Sequence, residues 1–272
     1  MSFRKLVKFW LSVVINLSSK TWVGGRILDQ TLASAMSRIV RIQHRDTWMS
    51  FSVPNSLCRY RATSFSLKEP DTLVWLESMP PGTILWDVGA NVGLYSVYAA
   101  KARGAKVYSF EPSVFNLELL ARNISINDVG SSITIIPIAL SNSSDVQNFK
   151  LTSVAWGSAL SAFGVDFDQN GKALHPIFDY RLPGVRADDV VEMFSLELPE
   201  YLKIDVDGIE HLILEGGQEL LKSVQSVLIE VDENFQQQSS RVTKLLIEAG
   251  LSLTKKSKLD FNAQHNQWWT RR

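Results

Sequence analysis

Apolar and polar residues follow two rhythms along this chain, and the change from one to the other marks its elements. Short apolar runs that suit buried parallel strands stand at 84–88, 106–110, 133–140, 201–207 and 224–231. Between them, apolar positions recur at helical spacing over 114–127, from about 208 to 220, and over 239–249. Strand, helix and strand in regular succession predict an α/β fold, Rossmann-like, built on a mostly parallel sheet. Extended patterns at 251–256 and 267–270, joined around Phe261, Asn262 and Ala263, predict that the sheet ends in an antiparallel hairpin.

The N-terminal region reads differently. An apolar stretch from Leu6 to Leu17 is flanked or interrupted by Arg4, Lys5 and Lys8, which makes it too short and too charged to span a bilayer. No small-residue cleavage site follows around Ser18, Ser19 and Lys20, as a signal peptide would require. Phe9, Trp10, Val13, Val14 and Leu17 share one helical face. Its simpler fate is packing on the domain, and its alternative is peripheral attachment to a membrane through residues 4–17. A second amphipathic helix is expected over 26–40, burying Ile27, Leu28, Leu32, Ala35, Met36 and Ile39, followed by extended segments at 48–53 and 57–65. Pro70 opens a helix, and Pro80, Pro81 and Gly82 close it. With no Gly/Ser-rich linker, residues 1–80 are expected to form an N-terminal helical accessory region, a cap on a domain spanning 81–272. Within that domain the glycine- and proline-punctuated stretch 141–199 reads as an irregular insertion with one strand at 148–152. Its Trp156, Phe163, His175, Phe178, Tyr180 and Arg181 are candidates to line an acceptor pocket.

Charge narrows the partners. Lys plus Arg and Asp plus Glu number 28 each, so no global field favours nucleic acid. The single cysteine, Cys58, excludes a disulfide framework and a cysteine-rich zinc site, in keeping with a cytoplasmic location, with the inner face of a membrane as the alternative if the first helix docks there.

Candidate chemistry concentrates at the strand ends. After the 84–88 run the chain turns through Gly89, Ala90, Asn91, Val92 and Gly93, small residues that let backbone approach a ligand at a helix N-terminus. The spacing departs from G-x-G-x-x-G and carries a preceding acid, Asp87, which favours a loop for S-adenosylmethionine (SAM) over one for NAD. On this reading a side chain at Gly89 blocks the ligand and leaves the fold intact. About twenty residues past the loop, Glu111 ends the next strand, where a carboxylate accepts hydrogen bonds from ribose hydroxyls. Asp205, Asp207 and Glu210, with His211 beside them, gather at the end of the 201–207 strand. If that strand stays regular, Lys203, Asp205 and Asp207 share one side of it. Their D-x-D-G-x-E spacing is far from a full calcium loop, and no metal is expected.

Taken together these segments resemble the FkbM-type family of class I SAM-dependent methyltransferases. The matching residues are Trp86 to Ser96, Phe110 to Ser113, Asn123-Ile124, Ala139 to Ser141, and Leu202 to Glu210, in an order covering about residues 84–232. Asp207 stands where the family often has Glu. The resemblance implies a seven-stranded, mostly parallel sheet and methyl transfer from SAM to a hydroxyl of a sugar, polysaccharide or secondary metabolite. It assigns Asp87, Gly89, Ala90, Asn91 and Gly93 to the methionine portion, Glu111 to the ribose and the segment from Ala139 and Leu140 to the adenine edge, with Asp205 in the same crevice. Asp207 is the first candidate for the base that takes the acceptor proton, followed by Glu210 and His211. Two other classes stay open: an NAD-linked oxidoreductase, and a non-catalytic SAM-binding or membrane-docked protein. Oligomeric state is not legible in the chain.

Overall fold

A computed structural model of the protein describes residues 3–258 and 264–271. Two helices, α1 (Phe3–Ser18) and α2 (Trp22–Met36), lead into a hairpin of β1 (Ile39–His44) and β2 (Thr47–Ser52), then α3 (Ser56–Thr63), α4 (Phe65–Lys68) and α5 (Pro70–Ser78). The main alternation follows: β3 (Ile84–Val88), α6 (Leu94–Arg103), β4 (Lys106–Phe110), α7 (Val114–Ile126) and β5 (Ile133–Ile136). Next come β6 (Ala139–Ser141), β7 (Asp145–Leu151), β8 (Ser161–Phe163), β9 (Phe178–Arg186) and α8 (Ala187–Phe194). The chain closes with β10 (Tyr201–Ile204), α9 (Glu210–Gly216), α10 (Gln218–Leu221), β11 (Ser226–Asp232), α11 (Gln236–Glu248), β12 (Leu251–Lys258) and β13 (Gln264–Arg271).

The central sheet has the order β12-β13-β11-β10-β3-β4-β5. Pairing is parallel from β11 through β5, and β13 lies antiparallel between β11 and β12. The terminal hairpin and the seven-stranded, mostly parallel sheet are therefore as expected, while the predicted turn at Phe261, Asn262 and Ala263 lies outside the described residues. Strand order reverses between β3 and β10, so the chain leaves both strands in opposite directions and opens a crevice at their C-terminal ends. Buried aromatic and aliphatic side chains cover both faces, Trp86, Phe110, Ile204 and Ile229 in one cluster and Leu85, Val97, Val107 and Leu119 in the other.

Several expectations are corrected. The 57–65 segment is helical because the Asn55 side chain accepts from the Cys58 N–H at 2.8 Å and caps α3. The second helix starts and ends earlier than 26–40, and none of the six apolar residues expected inside is buried; Ile27 and Leu32 are each 60% exposed. Packing of α1 on the domain is likewise not what the structure shows, since α1 rests mainly on α2 and keeps its apolar face in solvent. The 133–140 run splits at Pro137, which has no N–H to continue the ladder, and β6 joins a second sheet. That sheet, ordered β6-β9-β7-β8, gives the 141–199 insertion a regular frame that its mixed polarity concealed. From β2 to α5, by contrast, the N-terminal region is continuous with the core: Asn123 on α7 and Asn127 at its C-cap accept from the N–H groups of Ser52 and Ser50 at 2.8 and 2.9 Å. Trp75, fully buried, donates to Ser226 Oγ at 2.9 Å.

The 201–207 strand also ends early, at Ile204. Asp207 adopts φ 65°, and the Glu210 carboxylate collects the N–H groups of Val206 and Gly208 at 3.1–3.2 Å, which turns the backbone out of the ladder. Gly89 is required by this turn. At φ 82° its missing Cβ would lie 1.9 Å from the Asp205 carbonyl oxygen, so the close approach is between two loops of the protein, and a side chain there attacks the fold before it attacks a ligand. Gly89→Ala is thus expected to unfold at lower urea than the wild type, by about 1–3 kcal/mol for a non-glycine residue held in this backbone region plus the displaced contact. Urea denaturation followed by circular dichroism checks it, and an unchanged midpoint contradicts it.

Candidate functional site

A cavity of about 550 Å3 opens at the crevice where strand order reverses, within the roughly 300–1,000 Å3 that ligand pockets span. Its floor is made by successive strand ends: Val88 and Gly89 after β3, Glu111 and Pro112 after β4, Ala139 and Leu140 in β6, and Asp205 to Asp207 after β10. A narrower cleft sharing Arg61, Lys68, Gly89, Asn91 and Asp205 runs under the loop toward Tyr95 and Lys203.

The loop from Gly89 to Gly93 is held by its own donors. The N–H groups of Gly89 and Ala90 both bond the Phe110 carbonyl at 3.0 Å, Gly93 bonds Ala90 O at 2.8 Å, and Asn91 donates to Glu111 Oε2 at 2.7 Å. The expected row of free backbone donors is therefore replaced by a rigid turn whose contribution to a ligand is shape. Glu111 is buried, and its other oxygen accepts from Ser113 N at 2.8 Å. Burial pushes this carboxyl up to about 7 against the pull of those two N–H groups. The Asn116 side chain also reaches this carboxyl, and Glu111 lines the cavity.

Beneath the loop lies a buried ion network. Lys203 stands 3.0 Å from Asp205 Oδ2 and 3.7 Å from Asp87 Oδ1, with all but a few percent of Lys203 and Asp87 out of solvent. Burial alone would depress the Lys203 ammonium, but Asp205, Asp87 and Glu69 outweigh it and hold the charge. Asp87 Oδ2 accepts from Ser96 Oγ at 2.5 Å, while Oδ1 has no hydrogen-bond partner. Lys203 also lies 5.2 Å from the Tyr95 ring centre.

Asp207 faces the cavity, and desolvation followed by the nearby Asp205 charge raises its carboxyl to about 6. Its Oδ2 accepts from Leu160 N at 2.7 Å, which ties the β10 loop to the insertion. The other two proton-transfer candidates are not in the cavity wall. Glu210 is buried behind it, clamping the loop and accepting from the Gln238 amide. His211 lies in a separate depression with Glu215 and Arg241, where burial lowers its pKa. The structure thus brings together Asp207, Asp205, Gly89, Asn91, Glu111, Ala139 and Leu140, places Ala90 on the narrower cleft only, leaves Asp87, Gly93 and Glu210 behind the wall, and sets His211 apart.

Some cavity residues carry no motif. Glu230, near the end of β11, is raised well above the usual carboxylate range by burial and by Asp205 and Asp207; a lone acid in an apolar strand was its one sequence signal. Tyr60, Arg61 and Lys68 come from α3 and α4. Asn116 and Asn91 both donate to the Ser158 carbonyl, at 3.1 and 2.8 Å, and Arg61 Nε donates to Gly157 O at 2.6 Å. These bonds lay the 157–161 segment over the cavity. Of the insertion residues expected to line it, Phe163 does; Trp156, His175, Phe178, Tyr180 and Arg181 do not. Among the described residues no cluster of His, Cys, Asp and Glu is arranged to hold a metal ion.

Residues 87–258 match the family described as Methyltransferase FkbM domain. The hexuronic acid methyltransferase AglP of Haloferax volcanii is 30% identical over 179 residues, covering 65% of this chain and 66% of AglP. The methyltransferase sdnD of Sordaria araneosa is 28% identical over 185 residues, covering 58% of this chain and 70% of sdnD. The solved structure of methyltransferase FkbM from Methylobacillus flagellatus KT shares the fold at a TM-score of 0.51 and 13% identity, over 79% of this chain and 52% of that one. The matched segment contains the glycine loop, the strand ends that carry Glu111 and Asp205, and β12, and the chain belongs to the FkbM methyltransferase family.

Proposed function

We propose that the protein transfers a methyl group from SAM to a hydroxyl of a sugar, polysaccharide or secondary metabolite. The observation that carries this reading is the pair Glu111 and Asp207, two desolvated carboxyls from different strand ends on one cavity at the sheet's reversal point. AglP, by its name, acts on a hexuronic acid, which supports the sugar class.

The residues fit SAM. Glu111, pinned by Asn91 and Ser113, presents its remaining lone pairs to ribose hydroxyls; Ala139 and Leu140 offer an apolar wall for the adenine edge. Asp205 meets the polar end beside Lys203 and Tyr95, and Asp87, buried behind them, holds Lys203 in place. When bound, SAM supplies an electrophilic methyl group on a sulfonium. The chain's task is then alignment and proton removal. The 157–161 segment excludes water from above, and Tyr60, Arg61 and Lys68 border the acceptor side. Asp207, titrating near 6, is ionised at neutral pH and takes the hydroxyl proton. Glu210 acts through Asp207 by holding the 206–208 turn, and His211 takes no part. Residues 81–272 form the methyltransferase unit in this reading, and residues 1–80 its accessory cap.

Thermal shift with SAM and with NAD separates this reading from an NAD-linked oxidoreductase, since only SAM should stabilise the protein. Release of S-adenosylhomocysteine in the presence of candidate glycans, hexuronic acids first, separates it from a non-catalytic SAM binder.

Glu111→Gln is expected to bind SAM on the order of 10 to 100-fold more weakly by calorimetry, the loss of charge-assisted bonds partly replaced by water. The same variant changes how stability depends on pH. The folded protein holds the Glu111 proton more tightly than the unfolded chain, so this carboxyl's contribution is full below about pH 4 and is lost as pH rises toward about 7. Urea denaturation of ligand-free protein should show that part of the slope gone in Glu111→Gln; an unchanged slope contradicts the shift.

Asp207→Asn is expected to keep SAM affinity and lose roughly 100-fold or more in kcat. In the wild type, kcat should fall about tenfold per pH unit below about 6, where Asp207 holds its proton, and level off above. Equal losses of SAM affinity in both variants would move Asp207 into the cofactor site, and full turnover in Asp207→Asn would leave alignment without a base.

A further inference from the structure

The neutral balance of the whole chain hides a division. Residues 1–45 contain eight Lys and Arg and a single acid, Asp29, so the remainder carries the compensating negative charge. The same N-terminal stretch holds the broadest run of exposed apolar side chains in the described protein. On α1, Phe3, Leu6, Val7, Trp10, Val14 and Leu17 are 40–80% exposed. At 100° per residue these six fall on one side of the helix, while Lys5, Lys8, Ser12 and Asn16 fall on the other. Helix α2 extends the surface with Trp22, 74% exposed and stacked by the Arg26 guanidinium at 4.6 Å.

The two helices are built as a unit. Thr21 caps α2 by accepting from Gly24 N at 3.0 Å, and a Cβ at Gly24 would sit 2.0 Å from the Ser18 carbonyl, so the corner between α1 and α2 depends on that glycine. Among the described residues Lys5, Lys8 and Lys20 have no ion-pair partner. Their charge is available to an outside surface. A basic polar face beside a wide apolar face that includes tryptophan is the chemistry of a helix lying in a lipid headgroup region. Helix α1 is 16 residues, about 24 Å at 1.5 Å per residue, and no helix among the described residues is long and apolar enough to cross a membrane.

We propose that α1 and the start of α2 dock the protein on an anionic lipid surface, the apolar face of α1 entering the headgroup–acyl boundary and the lysines meeting lipid phosphates. The docking element is outside the methyl-transfer cavity and does not depend on that reading: α1 and α2 contribute no residue to the cavity wall.

Flotation of the full chain with phosphatidylcholine vesicles, with and without phosphatidylglycerol, tests it. The wild type should float with the anionic vesicles, release as NaCl rises, and ignore the neutral ones. Lys5→Gln with Lys8→Gln should weaken the partition roughly tenfold, and Trp10→Ser with Val14→Ser should abolish it. Thermal unfolding of both variants should match the wild type, because none of these side chains is in the core. Absence of flotation, equal flotation with neutral vesicles, or flotation untouched by either variant overturns the proposal. So does a dimer in sedimentation that ignores vesicles and dissociates in Trp10→Ser with Val14→Ser, since a second copy would then cover the face.

Discussion

The Lys203 ammonium, buried between Asp87 and Asp205, is the constraint on which the site is built. A charge this far from water is tolerated only when paired, and removing one partner of such a group is far more costly than the pair itself is worth. Here the pairing joins adjacent parallel strands: Asp87 lies in β3 opposite Lys203 in β10, and Ser96 and Ser109 extend the hydrogen bonding to α6 and β4. The network therefore fixes the height and spacing of the strand ends from which the cavity is made. It also brings the Asp205 backbone against Gly89, so the glycine of the loop and the acid of the β10 strand end satisfy one steric condition.

A second layer of carboxylates then shapes the loops. Glu111 holds the glycine loop and the start of α7, Glu210 holds the turn after β10, and Asp207 holds the segment above the cavity. Each spends part of its acceptor capacity on backbone N–H groups, which rigidifies the turns before a ligand arrives. Glu111 and Asp207 also face the cavity, where desolvation lifts both carboxyls toward neutrality. That dual use favours preorganisation: the geometry of the cavity is already part of the folded protein.

Legibility followed the range of the interactions. The strand, glycine turn and helix at Ile84–Arg103 and the acid at Glu111 are local patterns, and their backbone requirements were visible in the residues themselves. Asp205 and Asp207 were read as an alternating pair on a strand; the turn that separates them depends on Glu210 reaching back to Val206 and Gly208, a contact no period reveals. Helix α3 was hidden because a short polar helix set by the Asn55 cap leaves little apolar periodicity. Pro137 was visible, but that the chain changes sheets there follows from pairing between β6 and β9, more than forty residues apart. Glu230, Arg61 and Lys68 reach the cavity through tertiary packing alone.

In the proposed function, the cavity at the β3–β10 reversal holds the adenosyl group through Glu111. A crystal structure of the protein with S-adenosylhomocysteine decides the point. The ribose hydroxyls should lie within hydrogen-bond distance of Glu111, the adenine against Ala139 and Leu140, and the sulfur facing Asp207. A ligand bound elsewhere, or in the cavity with its ribose turned away from Glu111, would contradict it.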